Sequence, residues 1–239
     1  MRGAKRRGLL AYLLVHRGQV ISSDRLVDAL ADDGARSGAT GTVQTYLSQL
    51  RKILPQLGAE LVTQPAGYVL ELQDDILDAA RFESMVRAAT AERDLGSRLR
   101  LLDGALGLWR GAALEEFSWP WAVTERTRLD RRRLDALCNR ADARIERGEY
   151  LEALSELDAL TDEYPLDERL CGQRMLAAYR AGRQADALRA FQQLRHQLAH
   201  ELGLEPGPQL VDLERRMLDH DPALRAGAAP RAAAGDFES

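Results

Sequence analysis

The chain is predicted to be mainly α-helical: a small three-helix module closed by a β-hairpin, followed by an all-α array of paired helices. Three observations predict this. Apolar residues recur at spacings of three and four through most of the 239 residues. One interruption, Leu61-Val62-Thr63 and Tyr68-Val69-Leu70-Glu71-Leu72 around Gln64-Pro65-Ala66-Gly67, has strand composition and turn chemistry. In the second half, self-comparison gives a 34-residue period: Gly148 pairs with Gly182, Ala153 with Ala187 and Leu154 with Leu188.

The first helix runs from about Lys5 to Arg17, with Leu9, Leu10, Leu13 and Leu14 as its apolar stripe and Gly18 expected at the C′ position. Val20-Ile21 is a short extended link. Ser22 or Ser23 caps a second helix, with Asp24 in its first turn and Leu26, Val27 and Leu30 facing inward. A loop from Asp32 to Gly41 leads to the third helix. There Val43, Leu47, Leu50 and Leu54 form the inner stripe, while Thr45, Ser48, Gln49 and Lys52 share the opposite face. Three helices and a hairpin in this order make a winged helix-turn-helix, a fold that lays its third helix in the DNA major groove.

The outer face of that third helix carries hydroxyls, amides and a basic end, and no carboxylate. Amides and hydroxyls suit base edges; arginine and lysine suit phosphates. On this reading Thr45, Ser48 and Gln49 approach bases, with Gln44 and Tyr46 at the flanks. Arg51 and Lys52 hold phosphates, and Thr63 and Gln64 at the wing touch backbone. A solvated face lacking acids by chance is the plain alternative.

The run from Thr42 to Leu54, with Gly67-Tyr68 downstream, resembles the recognition helix and wing of OmpR-type DNA-binding domains. More narrowly, the chain resembles the Streptomyces antibiotic regulatory protein (SARP) family. Asp78-Ala79-Ala80-Arg81-Phe82, Leu108-Trp109-Arg110-Gly111 and Gly203-Leu204-Glu205-Pro206-Gly207-Pro208 with Leu210 are similar to landmarks of that family's bacterial transcriptional activation domain. The resemblance spans roughly residues 4 to 224. It implies an actinobacterial, cytoplasmic transcription activator of antibiotic-biosynthesis type, without a cofactor. Its expected partners are double-stranded promoter DNA bound at direct repeats, RNA polymerase and a second copy as a dimer on DNA. Thr42 and Tyr68 join the DNA-binding set through this likeness.

The resemblance also implies a small antiparallel sheet before the first helix, and this chain starts almost at that helix. The expectation is an upstream start, a trimmed chain or an incomplete domain, with one side of the first helix uncovered. Relatives often place a basic residue where Gln49 stands, and an arginine in the wing that is missing between Thr63 and Tyr68. A weak monomeric interaction, needing a second copy or partner, follows. The expected domains are residues 1–73 (winged helix, N-terminal sheet missing), 74–224 (helical activation domain) and 225–239 (disordered tail or linker).

Net charge is −4, but unevenly spread. Residues 1–70 hold 9 Lys and Arg against 5 Asp and Glu, and the rest hold 24 against 32. A basic module on an acidic one fits DNA at one end and protein at the other. No apolar run is long enough to cross a membrane and no signal-peptide pattern occurs. Cys138 and Cys171 are expected as small packing residues. The helical half reads as segments near residues 79–94, 96–109, 122–147, 150–164, 167–181, 184–202 and 208–218. The 34-residue spacing is that of tetratricopeptide repeats, which stack helix pairs into a solenoid.

Trp119 and Trp121 are expected to fill the seam between the first helix pair of this half and the repeats. Arg126, Arg128, Arg131, Arg132 and Arg133 interleave with Glu125, Asp130 and Asp135, which suggests i,i+4 pairing on a solvated face. Enzymatic readings fail: no Walker loop, GxGxxG or nucleophile elbow occurs. His196 and His200 lack the zincin pattern and a third metal ligand. The alternative function is a tetratricopeptide-like interaction scaffold whose degenerate winged-helix half does not bind DNA.

Overall fold

The computed structural model describes residues 3–31, 39–73 and 76–225. The expected tail from residue 226 onward and most of the loop from Asp32 to Gly41 lie outside these. Two compact units are formed by the described residues of Met1–Arg87 with Gly104–Leu134 and of Ala88–Asp103 with Asp135–Ser239.

In the first unit, α1 (Ala4–Val15), α2 (Ser23–Ala29) and α3 (Ala39–Ile53) precede an antiparallel hairpin of β1 (Ala59–Gln64) and β2 (Gly67–Leu72). Ser22 caps α2, its hydroxyl accepting from the Arg25 N–H at 3.3 Å, so one orphan amide of the first turn is satisfied. The inner stripe of α3 is as expected: Val43, Leu47, Leu50 and Leu54 are all 3% exposed or less. They pack with Leu9, Leu13, Leu26, Leu61 and Leu70 in one core. Pro55 ends the helix, since it lacks an N–H and its ring clashes with the carbonyl four residues back; a short 3₁₀ turn, Leu54–Leu57, follows.

The hairpin is in register from Ala59–Leu72 to Gln64–Gly67, leaving Pro65-Ala66 as the turn. The extended link contributes more than expected. Ile21 exchanges two backbone hydrogen bonds of 2.9 Å with Tyr68, adding a third backbone segment to the wing. That approach demands glycine next door: a Cβ on Gly67, at φ +150°, would lie 2.1 Å from the Ile21 carbonyl oxygen. Gly18 lies two residues beyond the α1 cap rather than at C′, and its N–H donates to the Leu70 carbonyl at 3.0 Å. The end of α1 is thereby tied to the wing.

The outer side of α1 is covered, contrary to expectation. Ala11 packs with Phe117 and Ala122, and Tyr12 meets the Trp121 ring edge-on at 5.1 Å. A Cβ on Gly8 would lie 2.2 Å from the Trp119 ring, so only glycine admits that indole so close. Trp121 Nε1 donates to the Ala29 carbonyl at the end of α2 at 2.9 Å. Trp119 and Trp121, stacked at 6.1 Å, therefore close the helix-turn-helix core rather than a seam with the repeats. No local pattern could reveal this, because the partners are separated by about a hundred residues.

Within the same unit lie most of α4 (Asp78–Ala91), the end of α5 (Leu95–Leu106) and the start of α6 (Pro120–Arg147). Arg126 is not an i,i+4 partner. Its guanidinium donates to the carbonyls of Ala113, Leu114 and Phe117 at 3.0, 2.8 and 2.9 Å, clamping the loop that carries Leu114 at φ +54°. Arg128 does pair, with Glu125 at 2.8 Å and Glu83 at 2.7 Å, and Arg133 sits over the Trp109 ring.

The second unit holds α7 (Tyr150–Glu163), α8 (Glu168–Arg180), α9 (Gln184–Leu202) and α10 (Pro208–Leu218), with the later part of α6. The 34-residue period is structural. Both α7 and α9 begin after a left-handed glycine, Gly148 at φ +83° and Gly182 at φ +78°. In each case the next N–H reaches back five residues, Glu149 to Arg144 at 2.9 Å and Arg183 to Ala178 at 2.8 Å. These are matched Schellman-type turns. Ala153 and Ala187 are wholly buried, where helices come closest, and Leu157 and Phe191 repeat the same spacing in the core. Gln173 on α8 donates to the Cys138 carbonyl and the Asp142 carboxylate of α6, at 2.9 and 2.6 Å.

Candidate nucleic-acid interface

The outer face of α3 is open. Thr42, Gln44, Thr45, Ser48, Gln49, Arg51 and Lys52 are exposed, and Tyr46 is half-buried. No acid occurs between Ala39 and Ile53, and Arg51 and Lys52 occupy the last turn, where cations favour the helix dipole. The Thr45 hydroxyl donates to the Gly41 carbonyl at 2.9 Å, which leaves its oxygen as an acceptor toward solvent. Lys52 has no partner among the described residues.

Arg51 behaves differently from Lys52. Its Nη2 donates to the Thr63 hydroxyl at 2.5 Å, its Nε to the Leu61 carbonyl at 3.4 Å, and its guanidinium lies 5.6 Å from the Tyr68 ring centre. Three of the expected site residues, Arg51, Thr63 and Tyr68, thus form one cluster that braces the wing against α3. Gln64 is exposed at the hairpin tip. The site therefore combines a polar helix face with a wing held at a fixed position beside it.

One residue escaped the sequence reading. Arg6 on α1 donates from Nη1 to Gln49 Oε1 at 2.8 Å, placing a cation at the centre of the α3 face. Lys5-Arg6-Arg7 is conspicuous in the sequence, yet only the crossing of α1 over α3 brings Arg6 to Gln49. Its neighbour Arg7 turns elsewhere, pairing with Glu116 at 2.7 Å.

His196 and His200 are exposed and stack at 6.3 Å. No group of three or more metal-capable side chains occurs among the described residues. Cys138 and Cys171 are buried free thiols; burial raises their pKa values to about 11 and about 12, so they persist as thiols. No helix among the described residues is long and apolar enough to cross a membrane.

Comparison with known proteins agrees with this architecture. Residues 77–218 match the bacterial transcriptional activator domain, and residues 2–70 match the family described as transcriptional regulatory protein, C terminal. The regulatory protein AfsR of Streptomyces coelicolor is 42% identical over 92% of this chain, which spans only 22% of AfsR. DnrI of Streptomyces peucetius, a regulatory protein, is 35% identical over 92% of this chain and 86% of its own length. The structure of Mycobacterium tuberculosis EmbR in complex with a low-affinity phosphopeptide superimposes with a TM-score of 0.85 at 34% identity. It is covered over 62% of its length by 92% of this chain. By the activator-domain match and the likeness to DnrI across most of both chains, this protein belongs to the SARP family of transcriptional regulators.

Proposed function

We propose that the chain binds promoter DNA through α3 and the wing and activates transcription by recruiting RNA polymerase. A second copy on an adjacent direct repeat supplies affinity that few cationic contacts per copy cannot. The observation that carries this reading is the exposed, carboxylate-free face of α3 beside a wing fixed by Arg51. In this arrangement Thr45, Ser48 and Gln49 face base edges, and Lys52 with the wing tip at Gln64 faces the phosphate backbone. Residues 1–73 would serve DNA and residues 74–224 the protein partners. The work takes place on the chromosome in the cytoplasm.

The test is competition between a duplex selected by the protein from a random library and an unselected duplex, at moderate salt. Preference for the selected duplex by tenfold or more is expected. Equal affinities would instead favour a helical-repeat scaffold whose winged-helix half does not read DNA.

A further inference from the structure

We propose that Arg6 and Gln49 act as a single two-donor reader of guanine. This rests on the reading that α3 enters the major groove, and it adds a base identity and a residue from α1. A free glutamine presents one acceptor and one donor, the pair that matches adenine N6 and N7. Gln49 is not free, because its Oε1 accepts from Arg6 Nη1 at 2.8 Å.

A guanidinium offers donors only, so the amide oxygen must face it; a flipped amide would set N–H against N–H. Nε2 is therefore the outward end of Gln49. Arg6 also has donors to spare. Its Nε is buried and faces away from solvent, but Nη2 is not buried and makes no hydrogen bond among the described residues. The bond itself is exposed at the α3 surface. Remaining Arg6 N–H groups and Gln49 Nε2 thus present donors side by side. Guanine displays two acceptors in the major groove, O6 and N7, whereas adenine sets an amine donor against one of them.

The experiment measures Kd for the full chain on its library-selected duplex and on duplexes carrying each alternative base pair at every position. For the wild type, one guanine should be preferred over adenine by about tenfold or more at the position sensitive to Gln49→Ala. Arg6→Met keeps the aliphatic stem and removes the donors; it should cut that preference at least several-fold, toward adenine, and leave the other positions unchanged. Arg6→Lys should retain part of it. At exposed Gln49, Gln49→Met should keep a reduced guanine preference through Arg6, a result that does not depend on Arg6→Met folding.

An Arg6→Met variant that keeps the full guanine preference would overturn the proposal. So would equal weakening on every duplex, the mark of a structural role, or complete loss of the preference in Gln49→Met. A wild type without any base preference fails one step earlier, at the DNA-reading assignment itself.

Discussion

At the scale of single residues, neighbouring cations do different jobs. Lys52, in the last turn of α3, has no partner among the described residues, whereas Arg51 is engaged with Thr63, Leu61 and Tyr68. Lys52→Ala should weaken binding to every duplex alike, and should flatten the slope of log affinity against log salt by about 0.9, one phosphate's worth. Fluorescence anisotropy across a salt series measures both. Arg51→Ala should do something further: free the wing, seen as faster amide exchange at Thr63 and Tyr68. Composition revealed the polar face of α3, since spacing alone sorts Val43, Leu47 and Leu50 from Thr45, Ser48 and Gln49. It could not reveal that Arg51 is spoken for, because its partners lie on strands whose register is settled only by folding. Arg6 was hidden for the same reason.

At the scale of elements, the wing and the tryptophan pair each depend on one close approach. Gly67→Ala would drive a Cβ against the Ile21 carbonyl, so Ile21 must withdraw from Tyr68. A cost of about 2 kcal/mol is expected, visible as a lower urea midpoint. Trp121→Ala should cost about 2 kcal/mol as well, less than a fully buried tryptophan because the ring is half-buried. It removes the bond to the Ala29 carbonyl and the edge contact to Tyr12. The elements were largely legible: α9 and α10 fall where periodicity placed them, and α7 and α8 differ by a single residue at one or both ends. Helical period and glycine stops are local signals. The cover over α1 was not legible, because nothing near Gly8 or Ala11 announces that Trp119 and Phe117 will arrive from so far along the chain.

For the whole molecule, the two thiols report on the integrity of the repeat unit. Cys138 and Cys171 are buried on α6 and α8, and burial lifts both above the ordinary thiol value of 9.0. A raised folded-state value means that the stabilisation is complete below pH 9 and is lost as pH climbs toward 11 and 12. Near pH 10.5 the loss should be on the order of 1 kcal/mol per thiol, after discounting for solvent relaxation. Urea titrations at pH 8 and pH 10.5 should show the gap between wild type and a Cys138→Ala, Cys171→Ala variant narrowing at the higher pH. Iodoacetamide at pH 8 should leave both thiols unmodified until the protein unfolds.

The indole pair seated on α1 also limits how this regulator could be rewired. A graft carrying only residues 1–73 onto a foreign effector would leave behind the lid over Gly8, Ala11 and Tyr12 and strip the Ala29 carbonyl of its donor. Such a chimera should precipitate or self-associate, whereas one carrying residues 1–225 keeps the lid and stays monodisperse in gel filtration. The unit of exchange is the helix-turn-helix together with its distant cover.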